Sequence, residues 1–151
     1  WRMQAPFARK ATLNAAARKR RAPPLRLQGR PEANAKGCDM QELVDLERRL
    51  WLEGAGAFEE FLSADAIAIM PMEEGIHDRA ETVRAIMKDT NWDALDLGAI
   101  YRTRISEGVV MLSYEAVARR GEDTYRALCS SLWRADSEGW RLVHHQQTPT
   151  G

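Results

Sequence analysis

The chain closes on "WRLVHHQQTPTG", residues 140–151, where His144 and His145 are followed at once by Gln146 and Gln147. Imidazole gains and loses its proton near neutral pH, so a histidine set in an apolar surround can serve as a general base or acid. Alternation along a strand divides these residues between two faces, with Arg141, Val143, His145 and Gln147 on one and Trp140, Leu142, His144 and Gln146 on the other. Val143 would carry its face into a core, so His145 and Gln147 are expected inward. The opposite assignment, with His144 inward, is the alternative. A purely structural role, with the imidazole bonded to a backbone carbonyl or a tyrosine, stands beside the chemical one. Tyr114 shares a strand face with Val110, Leu112, Ala116 and Ala118; it is either a core tyrosine or a hydroxyl that orients a ligand oxygen. Trp92, in "DTNWD", is placed to wall a pocket or to plug it. Met70, Met72 and Met87 are soft lining or simple packing. The candidate site is therefore His145 and Tyr114 for proton transfer and orientation, with Trp92, Met70 and Gln147 against a ligand.

Other chemistries lack their residues. Ser130 and Ser131 have no Gly-X-Ser-X-Gly setting. The two cysteines, Cys38 and Cys129, make neither a disulfide framework nor a metal group, and there is no glycine-rich phosphate loop, so no metal and no cofactor is expected.

These side chains need a frame, and the hydrophobic periods supply one. Leu43, Leu46 and Leu50, with Val44 and Trp51 beside them, recur at helical spacing over about 40–52, with Glu42, Asp45, Glu47, Arg48 and Arg49 filling the other side. Asp39 and Glu42 have capping-box spacing. After Gly54 and Gly56, "AFEEFL" predicts a short second helix. "AIAIMP" (66–71) reads as a strand and "MEEGIH" as a loop. Asp78 and Glu81 repeat the capping-box spacing ahead of a helix over about 79–88, with Ala80, Val83, Ile86 and Met87 as its inner face. From residue 95 the period becomes 2 in four segments joined by "SEG", "RGED" and "DSEG", which predicts an antiparallel meander. The order is that of an α+β domain, with helices on one face of a curved antiparallel sheet.

Charge divides the 151 residues sharply. Residues 1–37 hold ten Lys/Arg and one acid, whereas residues 38–151 hold twelve Lys/Arg and twenty-one Asp/Glu. The first 39 residues cannot bury enough apolar surface to order themselves. They read as a basic arm for nucleic acid or acidic partners, an Arg-rich targeting segment, or a non-native leader ahead of a start at Met40. The acidic domain over 40–151 has no general attraction for nucleic acid. No run of 18 apolar residues offers a membrane span, and the cysteine usage suits a reducing, cytoplasmic compartment.

"FLSADAIAIMP", the downstream "DRAETVRAI" and the closing "GWRLVHHQQTP" resemble the SnoaL-like branch of the nuclear transport factor 2-like superfamily, over residues 40–149. The resemblance implies a cone, in which three helices are wrapped by a strongly curved antiparallel sheet around a pocket. It also implies a homodimer formed through the outer sheet face. Domains of this kind include ketosteroid isomerases, polyketide cyclases, dehydratases, epoxide hydrolases and non-catalytic binding or assembly modules. The ligand implied is small and apolar or polyketide-like. One departure is specific. Steroid isomerases carry their general-base Asp just before the proline that ends the first strand, and here that position is Met70. A thioether cannot accept a proton from carbon, so that chemistry is excluded. Two functions of different class remain: a pocket protein of isomerase, cyclase or dehydratase type using His145, and a non-catalytic homodimeric binding or assembly module.

Overall fold

The computed structural model describes residues 40–89 and 91–150. The expectations for residues 1–39, including the Asp39 cap, lie outside the described residues. Among the described residues three helices, α1 (Met40–Leu52), α2 (Ala55–Phe61) and α3 (Arg79–Met87), accompany six strands. The strands are β1 (Leu62–Ile69), β2 (His77–Asp78), β3 (Ala94–Ser106), β4 (Val109–Arg120), β5 (Asp123–Asp136) and β6 (Gly139–Pro149). They form one curved, unclosed sheet in the order β2-β1-β6-β5-β4-β3. The four-stranded meander from β3 to β6 is antiparallel, as its short turns require.

The sheet as a whole is mixed, which corrects the antiparallel expectation. β1 lies parallel to β6, with Ile67 opposite His144 and Ala68 opposite His145. The apolar run of β1 gives no sign of its neighbour's direction; the long return through the meander decides it. His77, the last residue of the expected loop, and Asp78, the expected helix cap, pair antiparallel with β1 as β2.

The helices form where local chemistry favours them. Asp78 caps α3 reciprocally with Glu81: the Glu81 amide donates to Asp78 Oδ1 at 2.8 Å, and the Asp78 amide donates to Glu81 Oε2 at 3.0 Å. The buried side of α3 is Thr82, Ala85 and Ile86, while Met87, expected inward, is 69 % exposed. The helix is rotated from the expected face because the Thr82 hydroxyl turns inward and bonds the Asp78 carbonyl at 2.7 Å. On α1 the buried stripe is Leu43, Val44, Leu50 and Trp51, joined by Glu47. Glu47 was expected on the solvent side and is buried, because positions 43, 47 and 50 follow the i, i+4, i+7 rule of one face.

The core lies between these helices and the inner rows of the meander: Val110, Leu112, Tyr114, Ala116 and Ala118 from β4, and Ala127, Cys129 and Trp133 from β5. Trp133 is wholly buried and its ring meets Phe61 edge-on at 6.2 Å. Burying an indole stabilises the fold by roughly 5 kcal/mol before entropy is subtracted. Among the described residues no helix is long and apolar enough to cross a membrane.

Candidate functional site

A β-bulge arranges the end of β6. Trp133 pairs with Leu142 but Leu132 pairs with His144, so Val143 is an extra residue without a partner on β5. Leu142 and His145 therefore both turn inward and are wholly buried, although they are three residues apart. Val143 does not continue the core face as expected, because the bulge takes it up. His144 stays on the other side, where its Nδ1 lies 3.1 Å from the Ile67 carbonyl.

Inside the sheet a chain of buried polar groups crosses the core. The Ser131 hydroxyl stands 2.8 Å from His145 Nδ1, directly across the β5–β6 ladder. Ser131 also lowers the proton affinity of the Glu47 carboxyl, as a nearby donor does. The Trp133 indole donates to Glu47 Oε1 and the Tyr114 hydroxyl to Oε2, both at 2.7 Å, and the Trp51 indole donates to the Tyr114 oxygen at 3.1 Å. On the other side of the imidazole, the Gln147 carboxamide nitrogen lies 3.1 Å from His145 Nε2, and the Tyr125 hydroxyl donates to Gln147 Oε1 at 3.2 Å. Every charge-bearing group in this chain is thus hydrogen-bonded, which is the condition for burying it at tolerable cost.

Burial sets the proton affinities. It raises the Glu47 carboxyl above its ordinary value, opposed by the donors Ser131, Trp133 and Tyr114. It raises the Tyr114 phenol well above 10, reinforced by the Glu47 charge. It pushes the His145 imidazole down to about 3, with a smaller contribution from His144. His145 is therefore a neutral ring at physiological pH.

Beside this chain lies a cavity of about 290 Å3. Its walls are largely aromatic and aliphatic: Trp51, Phe58, Met70, Ile86, Trp92 and Tyr125. Trp92 and Tyr125 stack with centroids 5.6 Å apart and planes 17° from parallel. The Arg120 guanidinium sits 4.7 Å above the Trp92 ring and pairs with Asp89 at 2.9 Å. Asp89 and Asn91 are exposed and mark the mouth, whereas Met70 is buried and marks the inside. Gly54 lies on the rim with φ +60°, and a Cβ there would run into the Asn91 side chain.

Of the expected site residues, the structure brings Met70, Trp92 and Gln147 to the cavity wall, with Met72 beside them. His145 and Tyr114 do not line it; they lie behind the wall, where His145 touches the wall residues Gln147 and Phe58. Sequence reasoning missed Glu47, Ser131, Tyr125 and the Arg120–Asp89 pair. Tyr125 and Ser131 lie on the same inner row as Ala127, Cys129 and Trp133, so strand alternation carried the signal for both. The Arg120–Asp89 pair joins residues 31 apart and had no local signature.

No protein-family model and no curated protein matches the sequence. Solved structures do match. A proposed ketosteroid isomerase from Parabacteroides distasonis is 15% identical with a TM-score of 0.64, over 72% of this chain and 85% of its own. An NTF2-like protein of unknown function in nutrient uptake from Rhodospirillum rubrum is 18% identical with a TM-score of 0.61, over 75% of this chain and 99% of its own. The S. rosetta CaMKII hub is 12% identical with a TM-score of 0.62, over 77% of this chain and all of its own (100%). At such identities the likeness speaks for the backbone and leaves the chemistry to the residues. The helices, the mixed curved sheet and these matches together give the described domain the nuclear transport factor 2-like fold.

Proposed function

We propose that the domain is a small-molecule pocket protein of the SnoaL-like kind, binding a compact, neutral, ring-containing ligand of apolar or polyketide-like character. The observation that carries this reading is the cavity of about 290 Å3, walled by Trp51, Phe58, Trp92 and Tyr125, with the Gln147 amide as its inner polar group. That volume stands at the lower end of the range of roughly 300–1,000 Å3 found for ligand sites, and an apolar wall with a few fixed polar groups is their usual composition. The Arg120 charge at the mouth is matched by Asp89, so a ligand needs no net charge to enter. In this reading Trp92 and Met70 hold the ligand, and Gln147 contacts its oxygen. His145 and Tyr114 act from behind the wall, and binding rather than proton transfer is the primary event.

Trp51 and Trp92 report on the cavity directly. Titration with 2-acetylnaphthalene and 1-tetralone, both neutral ring ketones, should quench tryptophan fluorescence saturably and raise the melting temperature, as any ligand of the native state does. Trp92→Ala should weaken binding at least tenfold. Absence of quenching and of any thermal shift up to the solubility limit of both ketones would sink the pocket reading.

A second reading, an assembly module, is favoured by the outer sheet face. Ile67, Ile69 and Leu128 are 48 %, 41 % and 49 % exposed there, and their cross-strand neighbours are His144, Gln146 and Thr148. A proposed Ca/calmodulin-dependent kinase II association domain from Exiguobacterium sibiricum, 20% identical with a TM-score of 0.60, is among the structural matches, as is the hub above. We infer a homodimer through this face. Sedimentation should give a dimer at micromolar concentration, and Ile67→Lys should convert it to monomer. A wild-type monomer at that concentration removes the second reading and leaves the first untouched.

A further inference from the structure

The buried chain behind the cavity has a direction, and we propose that Glu47, Ser131 and His145 are positioning residues that fix which way the Gln147 carboxamide faces in the pocket. The inference rests on the pocket reading for its purpose, but not for its geometry.

The direction follows from the chemistry of the donors. An indole N–H can only donate, so Trp133 requires Glu47 Oε1 to accept. Trp51 can only donate, so the Tyr114 oxygen accepts from it, and the Tyr114 proton goes to Glu47 Oε2. With Glu47 ionised, its carboxylate accepts from Trp133 and Tyr114, and Ser131, which lowers its proton affinity as a donor does, turns its own hydrogen toward Glu47. The Ser131 oxygen is left to accept from the imidazole 2.8 Å away, which places the His145 proton on Nδ1. Nε2 is then bare and accepts from the Gln147 carboxamide nitrogen at 3.1 Å. That turns Gln147 Oε1 to the Tyr125 hydroxyl, which donates to it at 3.2 Å. A glutamine amide on its own can flip by half a turn with little change in shape. Here one orientation satisfies the chain, and the other sets the amide oxygen against the bare lone pair of His145 Nε2, with only the Tyr125 hydroxyl able to serve either way. With one amide proton on His145 and one oxygen lone pair on Tyr125, a second amide N–H remains to Gln147. The ligand chemistry that complements it is an oxygen acceptor, as in a ketone or hydroxyl group.

This assigns His145 a task other than proton transfer. Its complete burial and the edge of Phe58, with ring centroids 5.7 Å apart, hold the imidazole plane, so the tautomer has nothing to exchange with except Ser131 and Gln147. Preorganising a polar group in this way lowers the ordering cost at binding.

The test reads tautomer and amide orientation by NMR on the 15N-labelled full chain, with no ligand. Wild-type His145 should show a protonated Nδ1 and an unprotonated Nε2 from pH 5 to 8. A scalar coupling should appear across the hydrogen bond between Gln147 Nε2 and His145 Nε2. Ser131→Ala removes the acceptor for Nδ1–H; it should move the proton to Nε2 and abolish that coupling. Gln147→Met keeps Ser131 and lies on the accessible wall, so it serves if Ser131→Ala fails to fold; in it His145 should remain the Nδ1–H form. A wild-type Nε2–H tautomer, an imidazole that titrates between pH 5 and 8, or a tautomer that follows Gln147→Met each overturns the proposal. Because this readout needs no ligand, its failure is separate from failure of the pocket reading, which the ketone titration decides.

Discussion

The deep burial of His145 makes a quantitative demand on stability at mild acid pH. Burial lowers its affinity for a proton to a pKa of about 3, against 6.5 for the free side chain. Between those values the unfolded chain carries a proton at this position and the native chain does not. Stability is therefore full above pH 6.5 and is lost as the pH falls toward 3, the sign required when the unfolded state binds more protons. From pH 7 to pH 5 the two values imply a loss of ~2 kcal/mol from this one ring, and about 1.4 kcal/mol for each further pH unit until the native ring titrates. Glu47 acts in the opposite sense. Its raised carboxyl binds a proton more readily in the native state, so its contribution grows as the pH falls. The two are separated by substitution. His145→Gln preserves hydrogen-bonding groups against Ser131 and Gln147 while removing the titration, and every other ionisable group is common to both proteins. Urea unfolding at 25 °C and pH 7, 6 and 5 gives each stability directly. The wild type should lose about 2 kcal/mol more than His145→Gln between pH 7 and 5. Parallel pH dependences, within about 0.5 kcal/mol, would mean that the ring reaches solvent or accepts a proton in the folded state, and the buried relay would be wrong.

Three further outcomes follow from single contacts. Glu47→Ala leaves the Tyr114 and Trp133 donors without an acceptor and should cost roughly 3–5 kcal/mol by urea unfolding, with Glu47→Gln costing less than half as much. Gly54→Ala places a side chain at φ +60° against Asn91 on the cavity rim, and should lower stability by about 1–2 kcal/mol and weaken ketone binding in the fluorescence titration. Cys129 is buried, and burial followed by the Glu47 charge pushes its thiol up to about 12. In a Cys38→Ser background it should therefore resist a chromogenic disulfide reagent at pH 8 until the protein unfolds, and rapid labelling of the native domain would contradict this burial.

Local pattern was enough for much of the fold. The 3.6-residue stripe of Leu43, Leu50 and Trp51, the reciprocal cap of Asp78 and Glu81, and the alternation of Val110, Leu112 and Tyr114 are short-range signals. They specify α1, α3 and β4 wherever the chain goes afterwards, because each depends on neighbours within one or two turns or on a period of two. The burial of Glu47 was misread: its spacing from Leu43 and Leu50 puts it on their face, but its charge argued for solvent and was overruled by the Tyr114 and Trp133 donors waiting in the core. The parallel pairing of β1 with β6 was not legible, because it joins segments some eighty residues apart and strand pattern carries no direction. The Val143 bulge was not legible either. It arises from the register of β6 on β5 and reverses the simple alternation that placed Leu142 away from His145. Most of all, strand alternation favoured His145 and Gln147 over His144 as the inward pair, but it carried no sign that one lines the cavity while the other stands behind it. That order depends on where α1 lays Glu47 and where β5 lays Ser131 and Tyr125, and only the closing of the sheet over the helices brings those groups within hydrogen-bonding distance.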